Sequence, residues 1–403
     1  METATDPAVN TPGQPPAAPP GRVPERKKTG IGFSFDAMDF PVSATFAVFL
    51  DAATQGGVFP EDERDWWDQV TEKMNPGMKK SMTDFMERAQ RASDKAFATP
   101  VGKNLTLRAY QILASLMAGN LPFLSDLQAK NRFIFVVSAP RHGGSYLTKE
   151  LLLSTGHHYE DFPSYFIHDG YPDISSQWIS NDGMNTVPMT RRAMQQTAEW
   201  IVMADWFFKD AKPFAGLRNI PKKATKSIYE ARFFRDTFGP HAEYIVPVRH
   251  PAAACLSLVE KAGGIPDGGR FPRYARSAIE NWIMDSWADD GVGPDEVAKM
   301  PYFTAYLGYW NRYFQILATN GMLRNHRNLT VLPYTKKAFE GYLQKQHDRF
   351  QSGKTAGAMH IQPKAASLYP EWLRQSQTLL EDMGNLWQSF GVSFPMDEIA
   401  RAN

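Results

Sequence analysis

The chain has 403 residues, enough for two or three domains at about 150 residues each. Lys+Arg number 44 and Asp+Glu 43, a net charge of +1, which argues against a protein built to coat nucleic acid but allows a local basic pocket. A single cysteine, Cys255, excludes an intrachain disulfide and a cysteine-rich zinc module. The composition is that of a soluble, cytoplasmic protein, and its aromatic fraction of 13% suits aromatic-lined pockets or interfaces.

Residues 1–30 read as a disordered tail. Seven of the first 24 are proline and few are large and apolar, so burial cannot offset the entropy of ordering. The same stretch lacks the apolar core of a signal peptide. Its basic cluster, Arg22, Arg26, Lys27 and Lys28, suits a solubilising linker better than a specific anion contact. Residues 31–130 read as an all-helical extension. PVSATFAVFLDAATQGG starts after a proline and stops at a glycine pair, PEDERDWWDQVTEKM places acids in a first turn, and Met78, Met82, Phe85 and Met86 recur at helical spacing. VGKNLTLRAYQILASLMAGN is a fourth helix. The block suits a substrate-side cap or an oligomerisation element. The longest apolar stretch is broken by Gly119, Asn120 and Pro122, too short and interrupted to span a bilayer.

The character changes at Asn131, where residues 131–403 read as a three-layer α/β/α domain around a parallel sheet. Phe133 to Val137 form a continuous apolar run, the mark of a strand buried on both faces. The turn that follows, Ser138-Ala139-Pro140-Arg141-His142-Gly143-Gly144-Ser145, opens a helical pattern. Its glycines let backbone N–H groups curl towards an anion at the helix N-terminus, and Arg141 and Ser145 add a cation and a hydroxyl. A Walker loop would need a lysine after the last glycine, and none is present. A second apolar run, Tyr244 to Val248, ends in Arg249, and Pro251 opens the next helix. Anion sites in open α/β sheets lie at such carboxyl ends of strands.

The first loop resembles the 5′-phosphosulfate loop of PAPS-dependent sulfotransferases, P-[RK]-S-G-T-T-x-L. Pro140, Arg141, Gly143, Ser145 and Leu147 match it, whereas His142 and Gly144 depart, and Tyr146 stands where many cytosolic members carry tryptophan. Arg249 and Ser257 keep the family's 3′-phosphate spacing, with His250 in place of a frequent Asp or Asn. KKATKSIYEARFFRDTFG resembles the family's Lys-Ser segment, NLTVLPYTK its late strand with Thr335 for a glutamate, and the helix from Tyr369 its closing helix. The resemblance covers residues 131–395.

It implies that 3′-phosphoadenosine 5′-phosphosulfate (PAPS) is the co-substrate and that no metal takes part. Arg141, His142, Gly143, Gly144, Ser145 and Tyr146 would hold the 5′-phosphosulfate, Arg249 and Ser257 the 3′-phosphate, and Lys354 a late loop closing over it. Lys226 would act at the transferring group and Glu160, nineteen residues past Arg141, as the base, with His168 as the alternative. The acceptor would be a small molecule, glycan or lipid hydroxyl, with no nucleic-acid partner. GGIPDGGRFPRYARSAIENWIMDSWADDGVG reads as a long binding loop, joined by Tyr165, Phe166, Tyr171 and Trp178 in an aromatic acceptor pocket. The rivals are a non-catalytic nucleotide-binding protein of the same fold and, behind it, a kinase-like enzyme.

Overall fold

The computed structural model describes residues 31–35, 38–56, 87, 90–167, 171–172, 186–324, 328–359, 361 and 365–402. The proline-rich tail, the Met78–Met86 spacing, His168 and Trp178 lie outside these residues. Four strands, β3 (Asn131–Val136), β4 (Arg218–Lys223), β5 (Glu243–Val248) and β6 (Leu329–Pro333), form one parallel sheet in the order β4-β3-β5-β6. The chain enters at β3, adds β4 on one side and then crosses to add β5 on the other. The topological switch therefore falls between β3 and β5, where open α/β sheets bind ligands.

The alternation of β3 sends side chains into two separate cores. Phe133 and Phe135 pack with Trp200 and Phe238 on one face, while Ile134 and Val136 pack with Leu147, Leu151 and Phe339 on the other. The first face is covered by α5 (Thr186–Phe207) and α6 (Ala231–Phe238), which follow α1 (Ala44–Thr54), α2 (Pro100–Ala118), α3 (Leu121–Lys130) and α4 (Gly144–Ser154). The second face is covered by α4 and by α10 (Lys336–Arg349), which comes after α7 (Pro251–Lys261), α8 (Ala278–Asp289) and α9 (Tyr302–Thr319). Helix α11 (Pro370–Ser389) buries Trp372, Leu380, Met383 and Trp387 against α9. The architecture is the three-layer α/β/α fold.

The extension departs from the all-helical expectation at its start. Ile31–Phe35 (β1) and Met38–Val42 (β2) pair antiparallel, and Ile31, Phe33 and Phe35 alternate with small residues at the period of a strand. Helices α1 and α2 match expectation, with Ser43 and Thr99 as N-caps. Both pack on α5, and one continuous core runs from Phe46 and Ile112 to Phe133 and Trp200. A buried network strengthens the seam. Ser43 donates its backbone N–H to Glu199, while its hydroxyl donates to Tyr171, whose own hydroxyl donates to Glu199. Burial raises the Glu199 carboxyl above its usual range.

The long loop expected between α7 and α9 is interrupted by a helix, α8. Ser277 caps α8, and the buried Glu280 binds Arg276 and the Tyr302 hydroxyl. Tyr165, Phe166 and Tyr171, expected to line a pocket, are buried in the core instead, with Phe166 stacked on Trp200 at 5.6 Å.

Helix α9 lies close to α8 because position 308 is glycine. A Cβ there would collide with the Trp287 indole, whose N–H is anchored to the Ala305 carbonyl at 2.9 Å. Helix propensity alone would favour alanine by about 1 kcal/mol, but overpacking of this kind costs about 1–3 kcal/mol. Gly308→Ala is therefore expected to lower the melting temperature in calorimetry. A rise would mean that the indole can swing aside.

Candidate functional site

The carboxyl ends of all four strands contribute to one place. β3 runs into the loop 137–143, and Gly143 at φ +84° is the N-cap of α4, with no side chain closing the helix end. Leu147 donates back to the Gly143 carbonyl, so the amides of Gly144, Ser145 and Tyr146 stand before the first intrahelical hydrogen bond. Ser145 is exposed at this end. Gly144 is pressed against the start of the loop: an added Cβ would lie 2.6 Å from Ser138 Cβ and Oγ and 3.0 Å from Lys223 Cε. The family's threonine has no room here, which accounts for the departure.

Arg141 is the centre of the arrangement. Its φ of +66° is a left-handed conformation rare for a residue with a side chain and costs about 1 kcal/mol or more. Its guanidinium donates to Ser257 Oγ from Nε at 3.0 Å and from a terminal nitrogen at 2.8 Å. Its carbonyl accepts from the Arg249 guanidinium at 3.1 Å. The Arg249 guanidinium also lies over the Tyr334 ring, 4.4 Å from its centroid. The fold thus brings Arg141, Arg249 and Ser257 together from loops a hundred residues apart. Among the described residues neither guanidinium forms an ion pair with a carboxylate. Burial, with Arg141 adding to it, pulls Arg249 below the ordinary arginine range.

His142 and His250 are both buried and neutral. Burial lowers His142 to about 3 and His250 to about 4. His250 Nδ1 accepts from the Ala252 N–H at 3.2 Å and so caps α7, as the family's Asp or Asn would, without a charge. His142 is wholly enclosed: its ring contacts the Pro140 carbonyl and the Trp310 N–H, and its own N–H bonds to Ala139. It supports the loop from within, and its ring does not face a ligand. Thr335, in place of the family's glutamate, is the N-cap of α10.

Lys226 lies in the two-turn 3-10 segment after β4, with its ammonium 5.2 Å from the Trp282 ring centroid. The preceding Thr225 hydroxyl donates to the Ser138 carbonyl at 2.6 Å, which ties that segment to the loop. Lys223, not singled out from the sequence, comes nearer to the α4 N-terminus than the expected residues suggest. The usable signal was its place at the carboxyl end of the strand beside β3, opposite Val136. Tyr334 was missed likewise, although it follows β6 directly.

Tyr146 donates its hydroxyl to the Gly357 carbonyl at 2.6 Å, and Glu150 accepts from the Gly357 N–H at 3.0 Å. Burial and nearby carboxylates push the Tyr146 phenol up to about 12. These bonds lay the segment 352–359 along α4, with Lys354 exposed on it. Glu160 sits in the 3-10 turn after α4 and pairs with Lys149 at 3.0 Å, both side chains about half exposed at 57% and 49%. A hydrogen bond from its own backbone, then Lys149, holds its carboxyl below the usual range. Both properties run against proton abstraction, which is favoured by a pKa near the working pH. His157 is partly buried against Phe162 and Phe208, and burial lowers its pKa.

Among the described residues no group of three His, Cys, Asp or Glu side chains is placed to hold a metal ion, and no helix is long and apolar enough to cross a membrane. No family model matches the chain, and no curated protein sequence matches it. Among solved structures it is similar to a sulfotransferase domain from the curacin biosynthetic pathway, with 15% identity and a TM-score of 0.31, over 68% of this chain and 96% of that one.

The close approach at Gly144 is testable. Gly144→Ala should lower thermal stability, and Ser138→Gly should restore it in the double variant, whereas Ser138→Ala should not, because its Cβ remains at 2.6 Å. Additive losses in the Ser138→Gly double variant would place the conflict elsewhere.

Proposed function

We propose that the chain is a sulfotransferase, moving a sulfuryl group from PAPS to an acceptor hydroxyl on a sugar, a lipid or a secondary-metabolite alcohol. The observation that supports this best is the pair of partly buried arginines at the switch point, Arg141 bonded to Ser257 and Arg249 to the Arg141 carbonyl, with no ion pair to a carboxylate among the described residues. Desolvated cations of this kind favour an anion, and arginine suits bidentate contact with phosphate or sulfate. Ser257 accepts from Arg141, which leaves its own proton for a phosphate oxygen.

In this reading Arg249 and Ser257 hold the 3′-phosphate, while Arg141 and the amides of Gly144, Ser145 and Tyr146 face the 5′-phosphosulfate. As the acceptor oxygen bonds to sulfur and releases its proton to solvent, the bond from sulfur to the 5′-phosphate oxygen breaks and negative charge grows on that oxygen. Arg141, with Lys223 or Lys226, would stabilise that charge. The segment carrying Lys354 would contribute from the α4 side. Its latch at Tyr146 is close to the phosphosulfate loop in sequence and in space.

Two outcomes check this. Adenosine 3′,5′-bisphosphate should raise the melting temperature more than AMP does, because a ligand of the folded state stabilises by mass action. Arg249→Gln should remove the difference, and equal shifts in the wild-type protein would overturn the two-phosphate site. Glu160→Gln, measured under single-turnover conditions, should leave the rate within about threefold, as expected for an exposed ion pair. A fall of about a hundredfold would restore Glu160 as the base.

A further inference from the structure

The two cation loops meet on a single indole. Trp310, fully buried on α9, points its N–H at His142 Nε2, 3.1 Å away, and at the Arg249 carbonyl, 3.2 Å away. One proton is shared between one acceptor on each loop. The chemistry of the partners fixes the histidine tautomer. An indole N–H only donates, so Nε2 carries the lone pair, and a carbonyl only accepts, so Nδ1 carries the proton towards Pro140 at 2.9 Å. Burial keeps the ring neutral, so this state persists at working pH.

These bonds close a ring. From Trp310 it passes to His142, along the peptide to Arg141, from the Arg141 carbonyl to the Arg249 side chain, and from the Arg249 carbonyl back to Trp310. Neither His142 nor Trp310 is exposed, and neither is placed to touch a ligand. Yet each is one covalent or hydrogen-bonding step from the backbone of an arginine, His142 from Arg141 and Trp310 from Arg249. A histidine in a core needs only that its nitrogens be satisfied. Here the same donor that satisfies it also holds the backbone of the second cation.

Resting on the two-phosphate site proposed above, we propose that His142 and Trp310 are positioning residues that fix the spacing between the Arg141 and Arg249 loops. They thereby select a ligand carrying phosphates at both ends over one carrying a single phosphate. The consequence is specific. A ligand that engages one loop is indifferent to the spacing, whereas one that bridges both is not. Residues that couple sites without touching ligand shift affinity by roughly tenfold.

The test measures dissociation constants for AMP and for adenosine 3′,5′-bisphosphate by calorimetry. His142→Leu, which keeps the site apolar but removes the acceptor, should lower the preference for the bisphosphate by roughly tenfold while leaving AMP within about twofold. His142→Gln, whose amide oxygen can reach the indole, should keep the preference. Trp310→Phe, which removes the donor, is the second variant should His142→Leu fold poorly. A merely structural role would weaken both ligands together or neither, and either result overturns the proposal. Nitrogen-15 NMR gives a readout independent of ligand: His142 should be neutral with its proton on Nδ1, and a proton on Nε2 overturns the pairing. Wild-type protein that binds AMP and the bisphosphate equally would overturn the proposed function and the selection built on it, while the NMR result would still judge the pairing.

Discussion

Two positive charges are held next to each other, and among the described residues no carboxylate forms an ion pair with either. Guanidiniums in such a place repel one another and lose hydration, so the surroundings must restrain them by other means. The restraint comes from neutral groups: the Ser257 hydroxyl under Arg141, the Arg141 carbonyl under Arg249, and the Tyr334 face beneath Arg249. Arg141 itself takes a strained backbone angle. The result is a cluster whose hydrogen bonds are made by neutral groups, with Glu260 acting on Arg249 from beyond ion-pair distance.

The departures from the sulfotransferase pattern look different in this light. His250 caps a helix that an aspartate could have capped, and Thr335 caps another where the family often has glutamate. Each keeps the hydrogen bond and removes a negative charge near the cations. Gly144 yields its side chain to Ser138, and His142 exchanges a small hydroxyl for a ring that reaches the Trp310 indole. At all four positions the residue present makes a contact within the protein.

How much of this the sequence could disclose depended on the range of the interaction. The strands were legible to within two residues: Phe133 to Val137 against Asn131–Val136, and Tyr244 to Val248 against Glu243–Val248. Apolar runs of that kind have few other places to go. The approach of the Arg141 and Arg249 loops follows from the strand-end rule, since both leave adjacent parallel strands, whereas the bond from Arg141 to Ser257, inside α7, gave no signal. Trp310 gave no such signal, because its partner lies 168 residues away and its helix reads as ordinary aromatic core. Helix α8 was hidden by the glycines and prolines before it, and the first hairpin by its brevity. Glu160 stands at the other extreme. Its distance along the chain was suggestive, but only coordinates show a carboxylate committed to Lys149 in solvent.

The continuity of the core from α1 and α2 through α5 to β3 governs how the chain can be made. During synthesis α1 and α2 emerge first, yet the apolar faces they bury belong against α5, which follows both the phosphate-loop strand and its helix. Strand β3 is likewise exposed on its Phe133 and Phe135 face until Trp200 arrives. The early segments therefore wait for a later one before their apolar faces are covered. A chain of this design completes its core late, through contacts distant in sequence, which slows folding and leaves aromatic surface open to misassociation while it proceeds.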